Sequence, residues 1–164
     1  LFSMPLRGNI ALGKPDVPDP TIYGAMERAR LTNDLPQLPK GLDSIVGERG
    51  ATLSGGQKQR AALARALVLD PKVLILDDAL ASVDMKTAAE IIAGLRQGDA
   101  QRTCIIVSQR MSAVEHADQI IVLDEGRIVE RGNHSALMAL GGQYTEMYQR
   151  EIQQAAEVLT DGDH

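Results

Sequence analysis

Two short, largely apolar runs constrain the fold more than anything else in this sequence. Residues 73–76 (VLIL) end in two adjacent acids, Asp77 and Asp78, and residues 103–108 (TCIIVS) form the second run. Between them, Met85, Ala88, Ile91, Ile92 and Leu95 recur at helical spacing, and Gly98 reads as a stop. A run of four apolar residues without alternation is expected of a strand covered on both faces. Strand, helix and strand in succession predict a parallel pair within an α/β sheet. Two parallel strands do not complete a sheet, so further strands are expected from elsewhere. An acid at the carboxyl end of a buried strand sits on the edge where α/β folds bind ligands. Alone, it is equally well read as a turn residue.

The rest of the chain surrounds this unit with helices. Residues 15–20 (PDVPDP) read as a loop, after which Asp19 or Thr21 can cap a helix that puts Ile22, Met26 and Ala29 on one face. Residues 33–44, with two prolines and a glycine, read as a connector. Residues 56–69 are rich in Ala and Leu and strongly helical, and Pro71 closes the segment. Downstream, a short helix is expected around residues 112–117, with Ser112 and Glu115 in capping-box spacing. Residues 119–132 read as a hairpin turning at residues 124–126. The C-terminal helical stretch is broken at Gly141 and Gly142, and the final DGDH is expected to fray. The predicted organisation is a helical part over residues 1–70, an α/β part over 71–150, and a tail over 151–164.

Composition excludes several classes. A chain of 164 residues with 44% apolar and 24% charged residues is that of one globular domain. A net charge of -5 argues against a nucleic-acid partner. The single cysteine, Cys104, rules out a disulfide framework within the chain and fits a reducing compartment. No uncharged apolar stretch approaches the ~18–20 residues of a membrane span. No basic, apolar leader opens the sequence. The first residue is Leu1 rather than Met, and the chain is expected to be N-terminally truncated.

The chemistry concentrates at residues 53–57, LSGGQ. Ser54 and two glycines stand directly before a helix, where free backbone N–H groups and the positive end of the helix dipole make an anion site. Gly55 and Gly56 let a phosphate approach the backbone, Ser54 offers a hydroxyl and Gln57 an amide. The plain alternative is an ordinary N-cap. A helix of ~14 residues spans ~20 Å, so this loop and Asp77 would lie too far apart to grip one nucleotide. Either one of them is idle, or a second subunit brings its own nucleotide to Ser54.

These motifs together resemble the second half of an ABC transporter nucleotide-binding domain, a partial P-loop NTPase. LSGGQKQRAALARAL resembles the family signature and its helix, VLILDD the Walker B strand, ASVD the D-loop, and TCIIVSQR the switch strand. The resemblance runs from LFSMPLRGNIALG to GGQYTEMY, and LFS with VGERG resembles the exporter type. It implies a helical signature subdomain, part of a mostly parallel sheet with flanking helices, and a C-terminal hairpin. It further implies two ATP molecules sandwiched in a head-to-tail dimer, where each site pairs one chain's Walker motifs with the other's signature. On that reading Asp77 holds Mg²⁺, Ser54, Gly55, Gly56 and Gln57 bind the partner's ATP, and Asp84 in the D-loop touches the partner or caps the next helix. Glu48 and Arg49, which on their own read equally as a solvated turn, are expected to contact a transmembrane domain, which places the chain on the cytoplasmic face of a membrane. No G-x-x-x-x-G-K-[ST] phosphate loop occurs in the sequence, so the chain alone is expected to bind ATP weakly or not at all.

In the D-loop, Ala81-Ser82 is swapped relative to the usual Ser-Ala of the family, so less is carried over to those two. Two further positions depart from the family pattern at the nucleotide site. Asp78 stands where exporters usually carry the general-base glutamate, and the shorter side chain withdraws the carboxylate by roughly 1 Å. Gln109 stands where the switch histidine is usual and cannot become cationic near neutral pH. His116, His134 and His164 read as surface or cap residues. Both departures weaken one nucleotide site while the signature stays intact, which resembles the degenerate-site subunit of a heterodimeric exporter, with a slow homodimer as the alternative. An SMC-like DNA-associated ATPase would bring coiled-coil insertions and a basic surface. Translation-factor ABC proteins usually carry a different Walker B tail, with Pro after Glu, and lack VGERG. A non-catalytic interaction fragment is the third alternative.

Overall fold

The computed structural model describes residues 1–14, 16–47, 53–97 and 102–161. The chain divides into two compact units, Leu1–Val107 and Ser108–His164. Glu48 and Arg49 lie outside the described residues, as do the expected stop at Gly98 and the terminal residues 162–164.

The first unit is organised around helix α3 (Gly55–Leu67), preceded by α1 (Leu6–Ile10) and α2 (Asp19–Arg28). Ala and Leu give α3 its propensity, and its apolar stripe of Ala61, Leu63, Ala64 and Leu67 is buried. Two arginines bind it to its neighbours. Arg65 donates to the backbone carbonyl of Asn9 at 2.6 Å and to its side-chain oxygen at 3.0 Å. Arg28 of α2 donates to the Leu67 carbonyl at 3.1 Å, where the last turn of α3 carries carbonyls without intrahelical donors. Asn9 is fully buried and also satisfies the backbone of Phe2. Neither Asp19 nor Thr21 caps α2. Pro18 is the N-cap and Pro20 follows inside the first turn, where a missing N–H costs nothing.

The expected connector carries two 3₁₀ segments, Thr32–Gln37 and Gly41–Asp43. A two-residue antiparallel ladder joins β1 (Met4–Pro5) to β2 (Ile45–Val46). Sequence pattern cannot find so short a pair.

Strands β3 (Val73–Asp77) and β4 (Thr103–Val107) pair in parallel, with Val73 opposite Thr103 and Asp77 opposite Val107. Helix α4 (Met85–Gln97) forms the crossover and buries Ala88, Ile91, Ile92 and Leu95. The strand–helix–strand unit is therefore as the periodicity predicts, but coverage on both faces is not. Leu74 and Leu76 are buried, whereas Val73 and Ile75 are 54% and 62% exposed and Ile105 and Val107 are open on β4. Two strands make up this sheet among the described residues, and the second face has no covering layer within the unit.

The second unit holds the hairpin β5 (Ile120–Asp124) and β6 (Arg127–Gly132) with helices α5 (Met111–Val114), α6 (His134–Leu140) and α7 (Gln143–Asp161). The hairpin turns through Glu125 and Gly126, both at positive φ, as a two-residue turn between right-twisted strands requires. Met111, Ile120, Val122, Leu137 and Tyr144 form its core. Gly141, left-handed at φ 69, ends α6, and the Glu130 carboxylate caps α7 by accepting from the N–H groups of Gln143 and Tyr144. Ser112 does not cap α5. It lies inside the helix, and the N–H groups of Met111 and Ser112 instead meet the carboxylate of Glu151, 39 residues or more downstream.

Candidate functional site

Ser54 is the N-cap of α3, and its loop is held by a reciprocal pair of hydrogen bonds. The Gln57 N–H donates to Ser54 Oγ at 3.2 Å, and the Ser54 N–H donates to Gln57 Oε1 at 2.9 Å. This capping box satisfies two backbone donors at the helix start. The Gln57 amide is committed further: its Nε2 donates to Asp34 Oδ1 at 3.1 Å and to Gln37 Oε1 at 3.2 Å. The other oxygen of Asp34 accepts from Arg60 Nη2 at 2.7 Å, in an ion pair whose side chains are only 12% and 10% exposed. One nearly buried carboxylate thus clamps the first 3₁₀ segment to the first two turns of α3. Nothing in the sequence signals this role for Asp34, since its partners are 23 and 26 residues away.

Of the four predicted nucleotide-facing residues, Gln57 therefore serves to fix the loop. The N–H groups of Gly55 and Gly56 belong to a first turn that has no intrahelical acceptors. The Ser54 hydroxyl accepts from Gln57 and keeps its own O–H to donate. The donor set suits an anion, as a phosphate-facing loop requires.

The D-loop lies directly against this loop. The Ser82 N–H donates to Gln59 Oε1 of α3 at 2.7 Å. A β-carbon on Gly56 would sit 2.8 Å from the Ser82 carbonyl oxygen, and one on Gly55 would sit 3.2 Å from Ser82 Cβ. The second glycine is thus required by close approach of backbone to backbone. Two residues on, Asp84 caps α4: its Oδ1 accepts from the Thr87 N–H at 2.9 Å and its carbonyl from Ala88. The backbone hydrogen bond from Thr87, followed by the side-chain bond from the same residue, holds the Asp84 carboxyl below its ordinary range.

Asp77 ends β3, and both acids are exposed at the carboxyl edge of the sheet. Asp78 lies in the left-handed region at φ 47, with its N–H donating to the Val107 carbonyl at 2.9 Å and its own carbonyl accepting from Ala81. Non-glycine residues reach that region rarely, and Asp and Asn do so more readily than longer side chains. Among the described residues no group of three His, Cys, Asp or Glu side chains forms a metal cage. The donors present fit Mg²⁺ nonetheless, because that ion is held by one or two carboxylates with waters and substrate phosphates completing its shell.

Gln109 belongs to the second unit and is exposed. Of the histidines expected at the surface or in caps, His116 is exposed. His134 instead packs edge-on to Tyr144 and Tyr148, with its Nδ1 2.8 Å from the Tyr144 hydroxyl. Burial raises the pKa of Tyr144, and the negative charge of Glu115 raises that of Tyr148.

A signature loop abutting a D-loop, on a helical part joined to a parallel strand pair with acids at its carboxyl edge, defines part of an ABC-type ATPase core. Comparison with known proteins gives the family. The ABC transporter family model matches residues 9–81. The chain is 49% identical over 151 residues to the probable multidrug resistance ABC transporter ATP-binding/permease protein YheI of Bacillus subtilis, covering 92% of this chain and 26% of that protein. It is 46% identical over 156 residues to the multidrug resistance-like ATP-binding protein MdlA of Escherichia coli, covering 95% and 26%. A bacterial Atm1-family ABC exporter solved with ATP bound superposes with a TM-score of 0.86 at 38% identity, over 92% of this chain and 27% of that one. Over residues 9–81 the chain carries an ABC transporter domain, and the relatives it is similar to are ATP-binding/permease proteins and an exporter of that family. The chain spans about a quarter of the length of these relatives.

Proposed function

We propose that the chain forms the signature-bearing part of the ATPase domain of an ABC exporter, which powers efflux across a membrane by ATP-driven pairing of two such domains. The observation that carries this reading is the preformed loop at residues 54–57. Its N-cap, its clamp on Asp34 and its packing against Ser82 present backbone donors at a helix start with little left to order on binding. In this proposal Ser54, Gly55 and Gly56 face the triphosphate of ATP held by a partner subunit, while Gln57 keeps the loop in shape. Asp77 takes Mg²⁺, which would neutralise phosphate charge. Asp84 lies at the dimer interface. Glu48 and Arg49 meet the transmembrane domain at the cytoplasmic face. No helix of the described chain is long and apolar enough to cross a membrane.

The proposal extends to a heterodimer in which this chain's own site is degenerate. Asp78 carries a short side chain on a left-handed backbone, and Gln109 cannot cycle a proton. The test is made in the complete exporter. Ser54→Arg puts a bulky cation at a helix N-terminus, removes the cap, and should abolish ATP turnover. Asp78→Asn should leave turnover of the pair unchanged. A large loss from Asp78→Asn would sink the degenerate-site reading and favour a homodimer of two working sites. Normal turnover with Ser54→Arg would sink the signature reading itself.

A further inference from the structure

The backbone around Gln109 is held from an unexpected direction. The Arg110 N–H donates to Ser108 Oγ at 3.0 Å. The next two N–H groups, of Met111 and Ser112, donate to the two carboxylate oxygens of Glu151, at 2.6 and 3.2 Å. Three consecutive amides directly after Gln109 are therefore fixed by side-chain acceptors. Two of these bonds come from α7, about 40 residues away in sequence. Helix α5 has four residues and no side-chain cap from its N-cap residue, Arg110. A single turn does not hold itself together in water, so its geometry is imposed from outside. Its far end is held by the same helix, since Tyr148 hydrogen-bonds Glu115, the C-cap of α5. The Met111 side chain fixes the segment a third time, buried with Ile120, Val122, Leu137 and Tyr144.

We propose that Glu151 is a positioning residue for Gln109: its carboxylate sets the path of residues 110–112 and so where the exposed Gln109 amide is presented. Charge-assisted bonds from a carboxylate to two adjacent amides are short and directional, and a displacement of about 1 Å at a nucleotide-facing group is enough to lose most of its effect. The inference rests on the reading of Gln109 as the switch position of this chain's own nucleotide site. It adds that the C-terminal helix tunes how long that site retains its nucleotide.

The test uses the complete exporter carrying Ser54→Arg, so that retained nucleotide reports the site of this chain. Release of a fluorescent ATP analogue is followed in that background and after adding Q109A, E151A, E151Q or E151A with Q109A. A thermal melt checks folding, and E151Q, which keeps shape and one acceptor, guards against collapse of the unit. E151A is expected to speed release about tenfold, the scale of one charge-assisted hydrogen bond, and E151Q less. In the Q109A background E151A should add nothing, because its effect passes through Gln109. Equal release with and without E151A, or an E151A effect undiminished by Q109A, overturns the positioning role and leaves the reading of Gln109 intact. Release unchanged by Q109A itself overturns that reading and this inference together.

Discussion

Gly56→Ala tests whether the signature loop and the D-loop are in contact as described. Alanine is the better helix former, and in an unconstrained helix the exchange stabilises by about 0.5–1 kcal/mol. Gly24 in α2 is such a position, with nothing within 4 Å of the point a β-carbon would occupy. At Gly56 the new carbon would lie 2.8 Å from the Ser82 carbonyl oxygen and 3.5 Å from Arg60 Nη1. The first contact is to backbone, and that backbone is pinned by the bond from Ser82 N–H to Gln59, so it cannot rotate away. Overpacking of this kind costs about 1–3 kcal/mol. Net of the propensity gain, Gly56→Ala should destabilise by about 0.5–2 kcal/mol, while Gly24→Ala should stabilise. In a chain of this size 1 kcal/mol moves Tm by about 2–4 °C, so thermal melts of the two variants should shift in opposite directions. Gly55→Ala should fall between them, because its nearest neighbour, Ser82 Cβ, lies 3.2 Å away, a tight contact rather than the 2.8 Å clash at Gly56. A Gly56→Ala melt that rises as far as that of Gly24→Ala would refute the close approach.

Asp34→Ala should destabilise by about 3–5 kcal/mol in urea titration, since it strands the nearly buried Arg60 guanidinium, whose Nε already has no partner; a loss below about 1 kcal/mol would deny the clamp. The Asp84 cap should be pH-sensitive only in acid. Its folded pKa lies below the ordinary 3.8, so its stabilisation is complete above that value and is lost as pH falls through the lower, folded pKa. An NMR titration of the Thr87 amide should show a midpoint below 3.8.

Where the sequence was legible, local rules and tertiary packing agreed. The apolar spacing of α4, the N-cap at Ser54 and the hairpin turning within residues 124–126 each follow from neighbouring residues, and each is present. The site's supports were not legible because they act at a distance. Asp34 reaches α3 across more than 20 residues, and Glu151 takes the capping role that spacing gave to Ser112. A carboxylate in a 3₁₀ connector or on a solvated helix carries no pattern that announces its partner. Coverage of β3 failed for the opposite reason. The apolar run calls for burial on both faces, but Val73 and Ile75 are open, and among the described residues of this unit no layer covers them.

That open face also shapes the thermodynamics of the chain. Val73, Ile75, Ile105 and Val107 are already half exposed in the folded state, so unfolding adds less there to the newly hydrated apolar surface than a covered face would. Heat capacity of unfolding and denaturant sensitivity both scale with that newly exposed surface. For the number of its residues, this chain should therefore melt with a shallow stability curve and a broad transition, and any element that closes over the face would sharpen both.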